Sequence, residues 1–146
     1  MNADIAVDPR NERAHFYIAN SYKDIRQWEN AITHYQKRID LGGWHEEIWY
    51  SYYAMGKCYL EQKQPSRAIH TWLNGYQHHP HRAENLFEIV KYYREHGKSE
   101  LAAQFYQWAV KIPLPTQDSL FIHQDIYHFR LAYEFLIFYY YLRDKS

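Results

Sequence analysis

Tyr22, Tyr59 and Tyr93 are separated by 37 and 34 residues, and three further sets of positions keep the same two intervals. These are Ala31, Ala68 and Ala102; Tyr35, Trp72 and Tyr106; and Ile18, Met55 and Ile89. Four position classes on one spacing do not arise by chance in 146 residues. A period near 34 residues, with two helical patterns in each unit, predicts an all-α solenoid of stacked helix-turn-helix pairs. Such a fold buries its core between neighbouring pairs and offers an extended surface to partners. It rarely builds a catalytic pocket, so the chain is not expected to be an enzyme.

The helical periodicity predicts seven helices, alternating A and B. They run over Glu12–Asp24 and Trp28–Leu41, His45–Glu61 and Pro65–His78, Arg82–His96 and Ser99–Ile112, with a last unpaired helix over Phe121–Arg143. In the first, His15, Ile18, Ala19 and Tyr22 share one face. Repeats over about 12–44, 45–81 and 82–115, with a partial one over 120–143, make a single domain over 1–146 of about three and a half helix pairs in a right-handed superhelix. Pro65 suits the opening of a helix, where its missing N–H costs nothing. Gly97 suits the left-handed position just past a helix end, and Ser99 suits the cap of the helix that follows.

Small and large residues alternate as stacking requires. Ala31, Ala68 and Ala102 lie one turn into the B helices, where anything larger would push the paired A helix away; Ala19 and Gly56 play that part on A helices. Val90 occupies the third such A position and predicts a slightly wider approach. Tyr35, Trp72 and Tyr106, four residues past the alanines, fill the space between pairs. The three-residue excess between the first two repeats falls at Gly42-Gly43-Trp44. It reads either as a longer turn plugged by the indole or as a loop protruding towards another domain or ligand. Asn2–Pro9 resembles the tail of a preceding helix, and Phe121–Arg143 lacks a following partner. The chain is therefore expected to be a segment of a longer protein, with an exposed patch of Phe135, Leu136, Phe138, Tyr139 and Leu142 inviting self-association.

Composition narrows the function classes. Lys plus Arg equals Asp plus Glu at 17 each, so no global field attracts nucleic acid or an anionic membrane. Cys58 is the single cysteine, which suits a reducing, cytoplasmic setting, and no secretory leader opens the sequence. The apolar run Phe135–Leu142 is far short of the roughly 20 residues a spanning helix needs. His78, His79 and His81 flank Pro80 with no carboxylate or thiolate at useful spacing, and His123 and His128 miss the i, i+4 alignment. No metal and no cofactor are expected. Cys58 reads as a buried small hydrophobe, not a nucleophile.

The A helices should line the inner surface of the superhelix. Register places Phe16, Asn20 and Lys23 there from the first repeat, Tyr50, Tyr53 and Lys57 from the second, and Phe87, Lys91 and Arg94 from the third. This mixed aromatic and charged groove suits an extended peptide or a saccharide. The plainer account is a solvated face with internal salt bridges. Arg38, Glu46, Glu47, Arg82 and Glu84 fall near repeat junctions and read as structural ion pairs that set the superhelix, counted as surface pairs worth roughly 0–1 kcal/mol each.

The period, the small/large alternation and the Tyr/Ala/aromatic positions resemble tetratricopeptide repeats. Arg38 departs from that pattern, standing where a small residue is usual. Phe16-Tyr-Ile-Ala-Asn-Ser-Tyr-Lys-Asp24, Tyr35-Gln-Lys-Arg-Ile39 and Gly42-Gly-Trp-His-Glu-Glu47 look like the repeat region of certain family 2 glycosyltransferases. So do Pro80-His-Arg-Ala-Glu84, Tyr92-Tyr-Arg94, Ile112-Pro-Leu-Pro115, Leu120-Phe121 and Asp125-Ile-Tyr127. In that group a nucleotide-sugar transferase domain precedes the repeats. The resemblance implies a non-catalytic module that positions an acceptor or protein partner, with the junction residues docking the transferase domain. This chain has no Asp-x-Asp pair and no Gly-rich phosphate loop, so transfer itself is not expected of it. The alternatives are a free-standing peptide-binding adaptor and a structural spacer. Chaperone-binding members grip a C-terminal carboxylate with basic residues on the third A helix, where Glu84 and Glu88 would here repel it.

Overall fold

The computed structural model describes residues 11–118 and 120–144; the expectation for Asn2–Pro9 and the side chain of Phe138 lie outside the described residues. The elements are α1 (Glu12–Asp24), α2 (Trp28–Leu41), α3 (His45–Glu61), α4 (Pro65–His78), α5 (Glu84–Glu95) and α6 (Ser99–Val110). A π-helical turn over Ile126–Arg130 then leads into α7 (Leu131–Asp144). Among the described residues there is no strand, and no helix is long and apolar enough to cross a membrane. The chain forms two compact halves, Met1–His78 and His79–Ser146. In the first, α1 packs on α2, α2 on α3 and α3 on α4; in the second, α5 packs on α6 and α7 on both. Adjacent helices pair as in tetratricopeptide repeats.

One turn, used three times, sets the geometry of each pair. Gln27, Gln64 and Lys98 donate their N–H groups to the carbonyls of Tyr22, Tyr59 and Tyr93 at 2.9, 3.0 and 2.8 Å. Arg26, Lys63 and Gly97, one residue earlier, donate to Lys23, Leu60 and Arg94 at 3.0, 3.0 and 3.2 Å. The nested bonds form a Schellman motif, which needs a left-handed residue at its penultimate position. Arg26, Lys63 and Gly97 have φ of 63, 62 and 73°. The carbonyls of Gln27, Gln64 and Lys98 then accept the first bond of the next helix from Ala31, Ala68 and Ala102. Closing one helix with the residue that opens the next leaves no slack, which is why both residues keep the period.

The alanines of the period, with Ala19, are fully buried. A Cβ on Gly56 would lie 2.2 Å from Trp72 Nε1, so α3 and α4 meet where only glycine fits. Trp72 Nε1–H in turn donates to the Tyr53 carbonyl at 3.0 Å. Tyr35 is buried and donates its hydroxyl to Asn20 Oδ1 at 2.5 Å. Tyr106 is half-buried and stacks on Phe135 at 5.0 Å.

The first four helices have the boundaries expected from periodicity; the later ones differ. α5 starts at Glu84, two residues late, because the Arg82 N–H turns back to the His79 carbonyl and the Ala83 N–H donates to the Tyr127 hydroxyl. α6 stops at Val110, because Pro113 and Pro115 disfavour helical backbone in the residues before them. Ser99 is the first residue of α6, not its cap; Lys98 holds that position, without a side-chain hydrogen bond. The last helix does not begin at Phe121, whose φ is 46°. Its outward face also differs: Phe135 and Leu142 pack against the Val90 and Ala102 cluster, while Tyr133, Leu136, Tyr139, Tyr140 and Tyr141 are exposed. α6 covers one side of α7, and the exposed apolar residues lie on the other.

Candidate functional site

The nine groove candidates divide by register. Phe16, Tyr53 and Phe87 occupy one period class, and all three are buried, at 1, 4 and 0% exposure. This corrects their assignment to a binding surface. Phe16 packs edge-on to Tyr50 at 5.6 Å, Tyr53 stacks on Trp49 at 5.5 Å, and Phe87 lies beneath the Arg130 guanidinium at 4.4 Å. A large aromatic one turn from the A/B interface is enclosed by the neighbouring helix of its own half.

The remaining candidates of the first half form one accessible patch. Lys23 Nζ lies 3.5 Å from the Tyr50 hydroxyl and 5.8 Å from its ring centroid. Lys57 Nζ lies 5.2 Å from the Tyr53 ring, and the Tyr50 and Tyr53 rings are 6.0 Å apart. Asn20, one turn before Lys23, spends its Oδ1 on the Tyr35 hydroxyl, which orients its Nδ2 as a donor. Lys23 and Lys57 also line a cleft of about 300 Å³ with Asp24, Arg26, Trp28 and Glu61. Neither lysine forms an ion pair among the described residues. The patch therefore offers cationic and amide donors above tyrosine rings, with the two acids at the C-terminal ends of α1 and α3.

In the second half Lys91 is half-buried, and Arg94 is engaged by Glu134 through Nε at 2.6 Å and Nη2 at 2.9 Å. That fork-to-carboxylate pair turns Arg94 into a brace between α5 and α7. Glu134 lies 40 residues away, and no spacing rule in the sequence links the two.

The junction residues are buried, not surface pairs. Arg38 is fully buried where the equivalent residues are Gly75 and Ala109. Its guanidinium meets Glu47 Oε1 at 2.9 Å, the Gly42 carbonyl, and the Trp44 carbonyl at 3.3 Å; Arg13 reaches the other Glu47 oxygen at 3.2 Å. The Gly-Gly-Trp excess thus wraps an arginine that occupies a small-residue position. The turn folds onto α1: Trp44 is half-buried 5.8 Å below Arg13, and a Cβ on Gly43 would meet Glu12 Oε2 at 2.6 Å.

Arg82 does the same in the second half. It bonds Glu84 at 2.7 Å, Asp118 at 3.3 Å and the Phe121 carbonyl at 3.1 Å. Tyr127 donates to Glu84 at 2.5 Å and accepts from the Ala83 N–H at 2.8 Å. Burial alone would push the Glu84 carboxyl up; hydrogen bonds from His123, Arg82 and Tyr127, with the Arg82 charge, outweigh it and hold the group at about 2. Burial raises the Tyr127 hydroxyl, and the Glu84 carboxylate raises it further. The three histidines around Pro80 do not converge: His78 lies against Tyr52, while His79 bonds Asp118 at 2.9 Å with His81 edge-on to it. Asp118, 39 residues away, is the carboxylate that local spacing missed. Cys58 is fully buried, and burial pushes its thiol up to about 12, so it is no nucleophile near neutral pH.

A search of curated proteins finds no match. The tetratricopeptide repeat family model matches residues 13–39, which span α1 and nearly all of α2. The chain therefore contains a tetratricopeptide repeat at its first helix pair, a unit that typically serves protein interaction and not catalysis.

Proposed function

We propose that the chain is a protein-interaction module whose first half binds an extended acidic peptide across α1 and α3. One observation carries this reading: Asn20 Nδ2, Lys23 and Lys57 present donors on one accessible patch, and among the described residues no carboxylate is in ion-pair contact with either lysine. The tyrosine rings behind them supply apolar contact for the peptide's stem atoms. An acidic side chain fits on the Tyr50 side of the patch, away from Asp24 and Glu61 at the helix ends.

The reading is tested by fluorescence anisotropy with three labelled octapeptides, rich in Glu, Ser or Lys, and the full chain. The acidic peptide should saturate the protein, and Lys57→Glu should weaken it about tenfold while leaving helicity unchanged. Equal binding by the variant overturns the site, and binding of none of the three overturns the peptide reading.

Narrower readings remain as proposals. The sugar-transferase association, with its saccharide acceptor, rests on resemblance, and the residues carrying it include those of the two buried networks. The coding sequence around this segment tests it: an adjoining α/β domain with an Asp-x-Asp pair supports it, and a solitary repeat array overturns it. Self-association through α7 predicts that Leu136→Glu lowers the sedimentation coefficient at high concentration. A reducing cytoplasmic setting accords with the single buried thiol.

A further inference from the structure

The first helix pair carries two imidazoles at positions where the other repeats carry none. By the period of the chain, His15 on α1 and His34 on α2 correspond to Tyr52 and Thr71 in the second repeat and to Leu86 and Phe105 in the third. The third repeat buries Leu86 completely at this position. In the first repeat two metal-ligating side chains meet there instead. We propose that His15 and His34 bind a divalent transition-metal ion of the zinc class and so clip α1 to α2. The two histidines are 19 residues apart, outside any ligand spacing legible in the sequence, and only the pairing of α1 with α2 brings them together.

His15 Nδ1 and His34 Nδ1 lie 3.0 Å apart. The ring centroids are farther apart, at 5.2 Å with the planes inclined by 27°, so the two nitrogens form the facing edges. His15 is buried, at 5% exposure, and Tyr22 lies against His34 with centroids 5.6 Å apart, which restricts how far either ring can turn. Zinc takes imidazole nitrogen at about 2.0–2.1 Å, and two such ligands at the tetrahedral angle stand about 3.3 Å apart. The pair reaches that spacing by parting about 0.3 Å, with a small turn of each ring about Cβ–Cγ, a broad torsion in histidine. As the rings stand, one Nδ1 donates a hydrogen bond to the other. With the ion bound, the donating ring carries its proton on Nε2, so both Nδ1 lone pairs face the metal and no net charge is lost. His34 is half-buried, which leaves the α2 side open for entry and for water on the remaining coordination positions. Imidazole nitrogen suits zinc, copper and nickel, whereas magnesium prefers oxygen.

The test is long-range ¹H–¹⁵N correlation of the imidazole rings in the full chain near neutral pH, titrated with zinc chloride and separately with magnesium chloride. Zinc should move the Nδ1 signals of His15 and His34 together and saturably, and magnesium should leave both in place. His34→Ala should weaken the zinc response of the His15 ring at least tenfold. Because His34 is half-buried and alanine suits a helix interior, that variant keeps α2 and removes only the ligand. A zinc shift at neither ring, or at only one of them, overturns the site, as does a His15 shift that His34→Ala leaves unchanged. An equal response to magnesium also overturns it, because a hard cation does not select imidazole.

Discussion

Arg26 and Lys63 hold a backbone conformation that costs an L-residue roughly 1–2 kcal/mol, while the third repeat places Gly97 at the same position. Glycine relieves the strain but loses more chain entropy on folding, by about 0.5–1 kcal/mol. Arg26→Gly and Lys63→Gly should therefore each stabilise the protein by about 0.5–1 kcal/mol, and Gly97→Ala should destabilise it by about 1 kcal/mol, read from urea midpoints. Gly56 is constrained by space and not by φ. A methyl there would overlap the Trp72 indole, whose N–H is committed to the Tyr53 carbonyl. Gly56→Ala should cost about 1–3 kcal/mol by overpacking, and an unchanged melting temperature would mean that α3 and α4 meet elsewhere.

Between α5 and the π-helical turn, the buried Arg82–Glu84–Tyr127 network makes the second half acid-sensitive. Glu84 is held at about 2 in the folded protein, against 4.5 for the free side chain. Between those values the unfolded chain binds more protons, so the stability Glu84 contributes is complete above about pH 4.5 and lost as the pH falls towards 2. Glu84→Gln should remove that part of the acid limb in a thermal-denaturation series. The network was legible in part: Pro80-His-Arg-Ala-Glu84 and Asp125-Ile-Tyr127 stood among the segments that resemble the sugar-transferase repeat region. That they converge on each other was not legible, because chain segments about 40 residues apart meet only through packing. Arg38 was likewise visible as an anomaly in a small-residue position, without sign of the carbonyls that would receive it.

Across the molecule the period predicts a modular stability. Each half has its own buried cluster, Ala19–Cys58 in one and Val90–Ala102 in the other, and repeat arrays approximate a sum of local and nearest-neighbour terms. The fragment Met1–His78 should accordingly be helical by circular dichroism and unfold cooperatively in urea; a non-cooperative melt would show that its core depends on the rest of the chain. The same locality holds on α7, where α5 and α6 pack against one side while Leu136, Tyr139 and Tyr140 are exposed.

The helix order, the first four boundaries, the small-residue contacts and the turn positions followed from the sequence by itself, because each depends on neighbours within a few residues and recurs at one spacing. Tertiary structure decided which side of each A helix is surface. Phe16, Tyr53 and Phe87 share their face with Asn20, Lys57 and Lys91, and helical periodicity ranks faces without saying how deeply a neighbouring helix encloses their edge. It also decided that Arg94 serves Glu134 while Lys23 and Lys57 stay accessible. A charge's partner depends on which distant segment arrives beside it, and that information has no period.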